Sequence, residues 1–195
     1  NSVAMVARDY PGVTLIRSTG ERVAPEDAAA KGEPRGFAAA CNAGMRITKA
    51  DYIALINNDT EADPHWLGEM AAILQKKPQA AGVSCRMFQR NGKAINALSL
   101  SIHESGEPHA YGDGLADSSR FDASIPVFGP SGGGALWRRS ALEQIELKGR
   151  DGQAEYFDED FFAYFEDADL AWRARAEGFD FYYAPKARMI HLEGS

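Results

Sequence analysis

Apolar positions fall into two patterns along the chain. Residues 51–56 (DYIALI) and 80–88 (AAGVSCRMF) are nearly continuous apolar runs of strand length, as strands covered on both faces are. The first reads as a central parallel strand. Residues 11–16 (PGVTLI) read as a short buried strand after a brief helix over 3–8. Residues 36–47 (GFAAACNAGMRI) are Ala-rich and helical, with sides small enough to pack close to a sheet. A helix over 64–74 opens on Pro64, with Asp63 as its N-cap. Residues 127–137 read as strand, Gly-rich turn and strand, and 140–145 as a short helix. A longer helix over 161–177 is ended by Gly178, and 179–183 and 187–191 are short terminal strands. Between these lie a Gly-, Pro- and charge-rich loop at 19–35 and a polar stretch at 91–126, expected to carry a hairpin and a mobile loop. Strands alternating with helices indicate an α/β sheet.

Composition narrows the picture. The chain has 195 residues, the length of one ordinary domain, with 45% hydrophobic and 25% charged residues, which excludes disordered and fibrous classes. With 21 Lys and Arg against 28 Asp and Glu, the net charge is −7 and no nucleic-acid partner is expected. A phosphate ligand must then be held by local features or through a metal cation. Cys41 and Cys85 cannot make a disulfide framework and suit a reducing compartment. No apolar run is long enough to span a membrane, and no signal peptide is visible. The chain opens Asn-Ser-Val and reads as a piece of a longer protein.

Four groups of residues offer chemistry. Asn57-Asn58-Asp59 follows the 51–56 strand, and ligands of open α/β sheets bind beyond the carboxyl ends of strands. A carboxylate there suits a divalent cation that holds a diphosphate; turn chemistry and helix capping explain the same residues. In the 161–177 helix, Phe161, Phe165, Ala168 and Trp172 share one face, expected to be core, and Asp169 pairs with Arg173. Asp167 lies off both groups and is the best candidate for a general base, against the alternative of a solvated acidic helix start. Gly129-Pro-Ser-Gly-Gly-Gly-Ala135 lets backbone approach a ligand, or simply makes a turn, and it is not a P-loop. His191 ends the last strand and gains interest only if the fold brings it to Asp59.

The order GFAAACNAGM, DYIALINNDTEADPHWL, FGPSGGGALWRRSAL, FDEDFFAYFEDADLAWRARAEGF and YYAPKARMIHLEGS resembles the family-two glycosyltransferases of the GT-A fold, most closely their rhamnosyltransferase-like branch. The resemblance runs over about residues 36–195. It implies a single GT-A domain, a Rossmann-like mixed and mostly parallel sheet flanked by helices. Asn57-Asn58-Asp59 occupies the place of the family's DxD motif, with Asp59 as the metal–diphosphate carboxylate. Glu166-Asp167 occupies the ED motif, with Asp167 as catalytic base. Gly132 and Gly133 face donor sugar and acceptor, and His191 matches a position that completes the metal shell in some relatives. Two departures stand out. Asn57 replaces the first acid of DxD. Nothing corresponds to the family's opening strand and helix, which contact base and ribose, so the chain alone is expected to bind nucleotide sugar weakly or not at all.

The resemblance implies an inverting glycosyltransferase that moves a sugar from a nucleotide-diphosphate sugar to a hydroxyl of a glycan or lipid-linked acceptor, with Mn2+ or Mg2+. A cytoplasmic location is expected, with peripheral membrane association through regions outside the chain. The alternatives are a non-catalytic nucleotide-sugar or glycan-binding module of the same fold, and a glycoside hydrolase using two carboxylates. Carboxylate plus imidazole favours manganese. The geometry expected is a His191 nitrogen a few ångströms from Asp59, with room for one ion between them.

Overall fold

The computed structural model describes residues 2–17, 21–23, 35–150 and 152–192. In chain order its elements are α1 (Ser2–Asp9), α2 (Gly36–Ile47), β1 (Tyr52–Ile56), β2 (Thr60–Ala62), α3 (Trp66–Lys76), β3 (Ala80–Phe88), β4 (Ile95–Ala97), β5 (Ser99–Ile102), β6 (Pro108–Tyr111), β7 (Pro126–Val127), β8 (Gly134–Arg138), α4 (Arg139–Gln144), β9 (Leu147–Lys148), β10 (Ala154–Glu155), α5 (Glu166–Ala176) and β11 (Asp180–His191). They form two compact units, Asn1–Lys49 with Glu146–Glu166, and Ala50–Ile145 with Asp167–Ser195. No helix among the described residues is long and apolar enough to cross a membrane.

The second unit is built on a mixed sheet of order β1-β8-β3-β11-β2, with β4 added to β3 and β7 to β11. β8 is antiparallel to both β1 and β3, and β3 is parallel to β11, so β1, β3 and β11 all run the same way. The mixed α/β sheet flanked by helices is as expected. Its parallel character lies in the direction of these three strands: only β3 and β11 pair side by side in parallel among the described strands, because β8 is inserted between β1 and β3. The short strands add antiparallel edges. β3 and β4 are joined by too few residues for the crossover a parallel pair needs. β1 stands at the end of the described order rather than at the centre.

All nine residues of β3 are buried, which explains their continuous apolar run. On α3, Trp66, Met70 and Leu74 recur every fourth position and are buried against Val83, Cys85, Met87, Leu136, Ala184 and Met189. One charged residue interrupts β3. Arg86 is buried, donating through Nε to the Tyr183 hydroxyl at 2.7 Å and through its guanidinium to Asp117 at 3.0 Å, Asp122 at 2.8 Å and the Phe121 carbonyl. These bonds tie the excursion between β4 and β8 to the sheet. Within that excursion β5 and β6 form the expected hairpin.

In the first unit α2 has the expected bounds and buries Ala38, Ala39, Asn42, Ala43 and Met45. The Asn42 amide is fully used. Its Oδ1 accepts from Tyr156 N at 3.1 Å and Phe157 N at 2.9 Å, and its Nδ2 donates to the Phe157 carbonyl at 2.7 Å and to Glu159 at 3.2 Å. The small β9–β10 hairpin in this unit has no signal in the sequence pattern.

Several local expectations are corrected. Residues 11–16 form a turn after α1 and, among the described residues, a single antiparallel bridge, Ile16 to Arg22, not a buried strand, and Val13 is exposed. α3 begins at Trp66, two residues after Pro64, with Asp63 Oδ1 accepting from His65 N in the entry turn. The two terminal strands are one, β11, with an irregularity between Ala184 and Arg188. Most of the 19–35 loop lies outside the described residues. The largest correction concerns the acidic helix. Glu159–Phe161 is a turn of 3-10 helix, and Phe162, Tyr164 and Phe165 have φ of 61°, 71° and 69°, so α5 starts only at Glu166. Of the face drawn through Phe161, Phe165, Ala168 and Trp172, only Ala168 is buried: the three aromatics are exposed, and Leu170, Ala171 and Ala174 are buried beside it.

Candidate active site

Three chain turns converge on one edge of the sheet in the second unit. β1 ends at Ile56, paired with Gly134 at the start of β8, so Asn57 and the glycines before β8 are neighbours. Asn57 N donates to the Gly133 carbonyl at 3.1 Å, and Thr60 Oγ1 closes the Asn57–Thr60 turn by donating to the Asn57 carbonyl at 2.7 Å. A side chain on Gly133 would press on the Asn57 amide, its Cβ 3.1 Å from Nδ2. β2 then pairs antiparallel with the end of β11, Thr60 opposite His191, and Leu192 N donates to the Asp59 carbonyl at 2.8 Å. This register brings Asp59 to His191.

The Asp59 carboxylate and the His191 ring meet at 3.2 Å, Oδ1 to Nε2, both side chains partly exposed. The other ring nitrogen, Nδ1, lies 3.1 Å from Asn96 Oδ1. The expected juxtaposition is present, but the expected gap is not, since the two atoms are too close to hold an ion in line between them. They suit an ion in front of both. Two neighbouring ligands each about 2.1 Å from one hexacoordinate ion stand about 3.0 Å apart, close to the spacing seen. Among the described residues no group of three or more His, Cys, Asp or Glu side chains is arranged for a metal. Asp59 and His191 therefore fit a cation that takes its other ligands from substrate oxygens and water.

Asp167 stands in the first turn of α5. Its Oδ2 accepts from Gly132 N at 2.9 Å and its Oδ1 from Ala168 N at 2.9 Å. Burial pushes its pKa up, opposed by these N–H donors, and the net shift is upward. Asp169 makes the expected ion pair with Arg173 at 2.9 Å and is thereby separated in role from Asp167. α5 comes close to the Gly-rich segment because both faces are small: a Cβ on Gly129 would lie 2.4 Å from that of Ala171.

Asn57, Asp59, Gly132, Gly133, Asp167 and His191 thus line one sheet edge, linked by the bonds just given. Asn58, at the tip of the 57–60 turn, is exposed. Glu166 belongs to the first unit and is buried there; with burial as the larger cause, its charge helps push the Cys41 thiol up to about 12. Two contributions escaped the sequence reading. Asn96 is one amide in a short strand with no motif around it, and only strand register reveals it. The Gly132 N–H as the partner of Asp167 is invisible because backbone donors leave no mark on residue type.

A comparison with functionally curated proteins finds no match. Among solved structures, the chain is similar to the crystal structure of GalNAc-T7 with UDP, GalNAc and Mn2+, with a TM-score of 0.61 at 13% identity over 82% of this chain. The match covers 31% of that protein's chain, about a third of its length, and at this identity it speaks for the GT-A fold. The family described as Glycosyltransferase like family 2 matches residues 2–195, further toward the N-terminus than the motifs alone reach. The chain belongs to the Glycosyltransferase like family 2.

Proposed function

We propose that this chain carries the transfer site of an inverting glycosyltransferase of the rhamnosyltransferase-like branch, moving a sugar from a nucleotide-diphosphate sugar to a hydroxyl of a glycan or lipid-linked acceptor. In this reading residues 1–195 belong to one transferase domain. It works in the cytoplasm, in keeping with the free thiols Cys41 and Cys85, and meets membranes peripherally through other regions. The observation that carries it is the seating of Asp167 on the Gly132 N–H, on the sheet edge that also holds the Gly133–Asn57 bond and the Asp59–His191 pair.

The chemistry follows from that arrangement. Each Asp167 oxygen accepts one backbone N–H and keeps a lone pair, so the carboxylate is oriented before substrate arrives. Its raised pKa makes it a stronger base than an ordinary carboxylate. It takes the proton of the acceptor hydroxyl as that oxygen attacks the anomeric carbon. The bond from that carbon to the diphosphate breaks, and the leaving oxygen keeps the electron pair. Gly132 and Gly133, without side chains, let donor and acceptor reach the Asp167 oxygens, and Asn57 and Asn58 border the donor. Asp59 and His191 would hold Mn2+ or Mg2+, which supplies charge neutralisation at the leaving diphosphate. The GalNAc-T7 neighbour, solved with UDP and Mn2+, supports a cation and a nucleotide diphosphate in this fold.

The test is nucleotide-diphosphate release from a panel of nucleotide sugars, with acceptor and manganese, as a function of pH. The base works deprotonated, and its pKa is raised in the folded chain. Activity should therefore fall away on the acid side at a pH above the ordinary Asp range, and the limb should vanish with Asp167→Asn. Donor binding without turnover at any pH would favour the binding module, for which Asn57 in place of an acid is the supporting observation. Metal-dependent release of sugar to water alone would favour a hydrolase.

A further inference from the structure

One side of α5 is fastened to the segment that leads from β7 to Gly132, and the contacts run in order. Asp167 Oδ2 accepts from Gly132 N at 2.9 Å. One turn on, Ala171 meets Gly129 so closely that a Cβ there would clash with it. Trp172 packs edge to face against Phe128, ring centroids 5.6 Å apart. Two turns on, Arg175 Nε donates to the Phe128 carbonyl at 2.7 Å and its Nη2 to the Val127 carbonyl, with the guanidinium 5.5 Å from the centre of the Phe128 ring. Positions 167, 171, 172 and 175 thus meet 132, 129, 128 and 127 in antiparallel sense.

The segment itself is held to the sheet. Val127 pairs with Phe181 of β11, and the Gly129 carbonyl accepts from Leu100 N at 2.8 Å. Arg175 bonds carbonyls of this anchored stretch, and so bears on where α5 lies along it. Between the Phe128 carbonyl and the Gly132 N–H stand only Gly129, Pro130 and Ser131, about 10 Å of chain when extended. Asp167 and Arg175 are about 12 Å apart along the helix axis. The two ends of the seam are coupled through a short piece of backbone, in which the Pro130 ring fixes one φ.

We propose that Arg175 is a positioning residue for the transfer: by bonding the Val127 and Phe128 carbonyls it docks α5 on the Gly-rich segment and keeps the Asp167 carboxylate on the Gly132 N–H. The proposal rests on the reading of Asp167 as the base. Arg175 touches no substrate; it acts through the helix. Burial raises the pKa of Asp167, and the N–H groups of Gly132, Ala168 and Asp167 itself oppose it. Loosening the Gly132 bond removes part of that opposition, so the acid limb of turnover moves to higher pH.

The test compares Arg175→Met, which keeps the apolar stem and loses the donors, with the parent. Turnover should fall by roughly 10-fold, with donor KM within a few-fold. The acid limb should rise by about half a pH unit, and in NMR spectra the Gly132 amide proton should shift and exchange faster. Arg175 lies farther from Asp167 than the Debye length of about 8 Å, and the limb shift should persist in roughly 1 M salt; a shift that disappears there is an effect of charge and overturns the proposal. Gly129→Ala drives a methyl into Ala171 and should reproduce the changes with every charge in place, and adding Ala171→Gly should reverse them. Failure of that reversal also overturns the proposal. So does an unmoved Gly132 resonance and limb in Arg175→Met, with turnover lost only in step with the melting temperature; the base reading then stands. Full turnover in Asp167→Asn removes the base reading and the proposal with it.

Discussion

Asp167→Asn is expected to lower turnover by roughly 10²–10⁴-fold, the range that a positioned general base contributes. The substitution keeps shape and volume but removes basicity. It also has a local cost that the geometry makes explicit. Both carboxylate oxygens accept backbone N–H groups, from Gly132 and from Ala168. An Asn amide has one acceptor oxygen, so its NH2 must face one of those two donors or turn away from it. Modest destabilisation is expected alongside the loss of turnover, with donor binding little changed. Asp169→Asn is the control, because it breaks an ion pair with Arg173 two residues along the same helix and leaves turnover within a few-fold. Steady-state kinetics on the two variants, with melting curves to separate folding from catalysis, make the comparison. Full activity in Asp167→Asn would remove the assignment.

Arg86→Met is expected to cost about 3–5 kcal/mol of stability, as breaking a buried ion network by removing one partner does. The Met side chain keeps much of the apolar stem and removes only the guanidinium, which bonds Tyr183, Asp117, Asp122 and the Phe121 carbonyl. Burial opposes the charge of Arg86, but Asp122, Tyr183 and Asp117 outweigh it and hold its pKa up. The effect should fall toward the lower end, because the Asp122 side chain is 64% exposed and returns to water once unpaired. For a chain of this length the melting temperature should drop by roughly 6–20 °C. Urea unfolding at constant slope is the direct measurement. A loss under about 1 kcal/mol, typical of a surface pair, would mean that the network does not anchor the excursion between β4 and β8.

The parts of the fold legible in the sequence were those set by local pattern. α2 and β3 match their expected bounds because an Ala-rich helix and a nine-residue buried run need no partner to be recognised. The Asp169–Arg173 pair followed from helical spacing alone. The start of α5 was not legible, since nothing in the composition of Phe161–Glu166 announces three left-handed residues. Residues 11–16 have the composition of a strand, but among the described residues they make a single bridge, Ile16 to Arg22, and no ladder. At the site, the residue types with chemistry stood out: Asp59, Asp167 and His191. What joins them did not. The Thr60–His191 register, the Gly132 N–H and the Asn96 carbonyl are backbone and long-range features, and sequence pattern carries neither.

The central claim is that the edge holding Asp59, His191, Gly132 and Asp167 is where sugar leaves a nucleotide diphosphate. Crystals grown with excess manganese and nucleotide diphosphate test it most directly, through the anomalous signal of the metal. The account predicts one manganese peak within bonding distance of Asp59 Oδ1 and His191 Nε2, with diphosphate oxygens completing its ligands beside Gly132 and Gly133. A nucleotide bound elsewhere, or a manganese peak away from this pair while Asp59 and His191 remain in contact with each other, would contradict it.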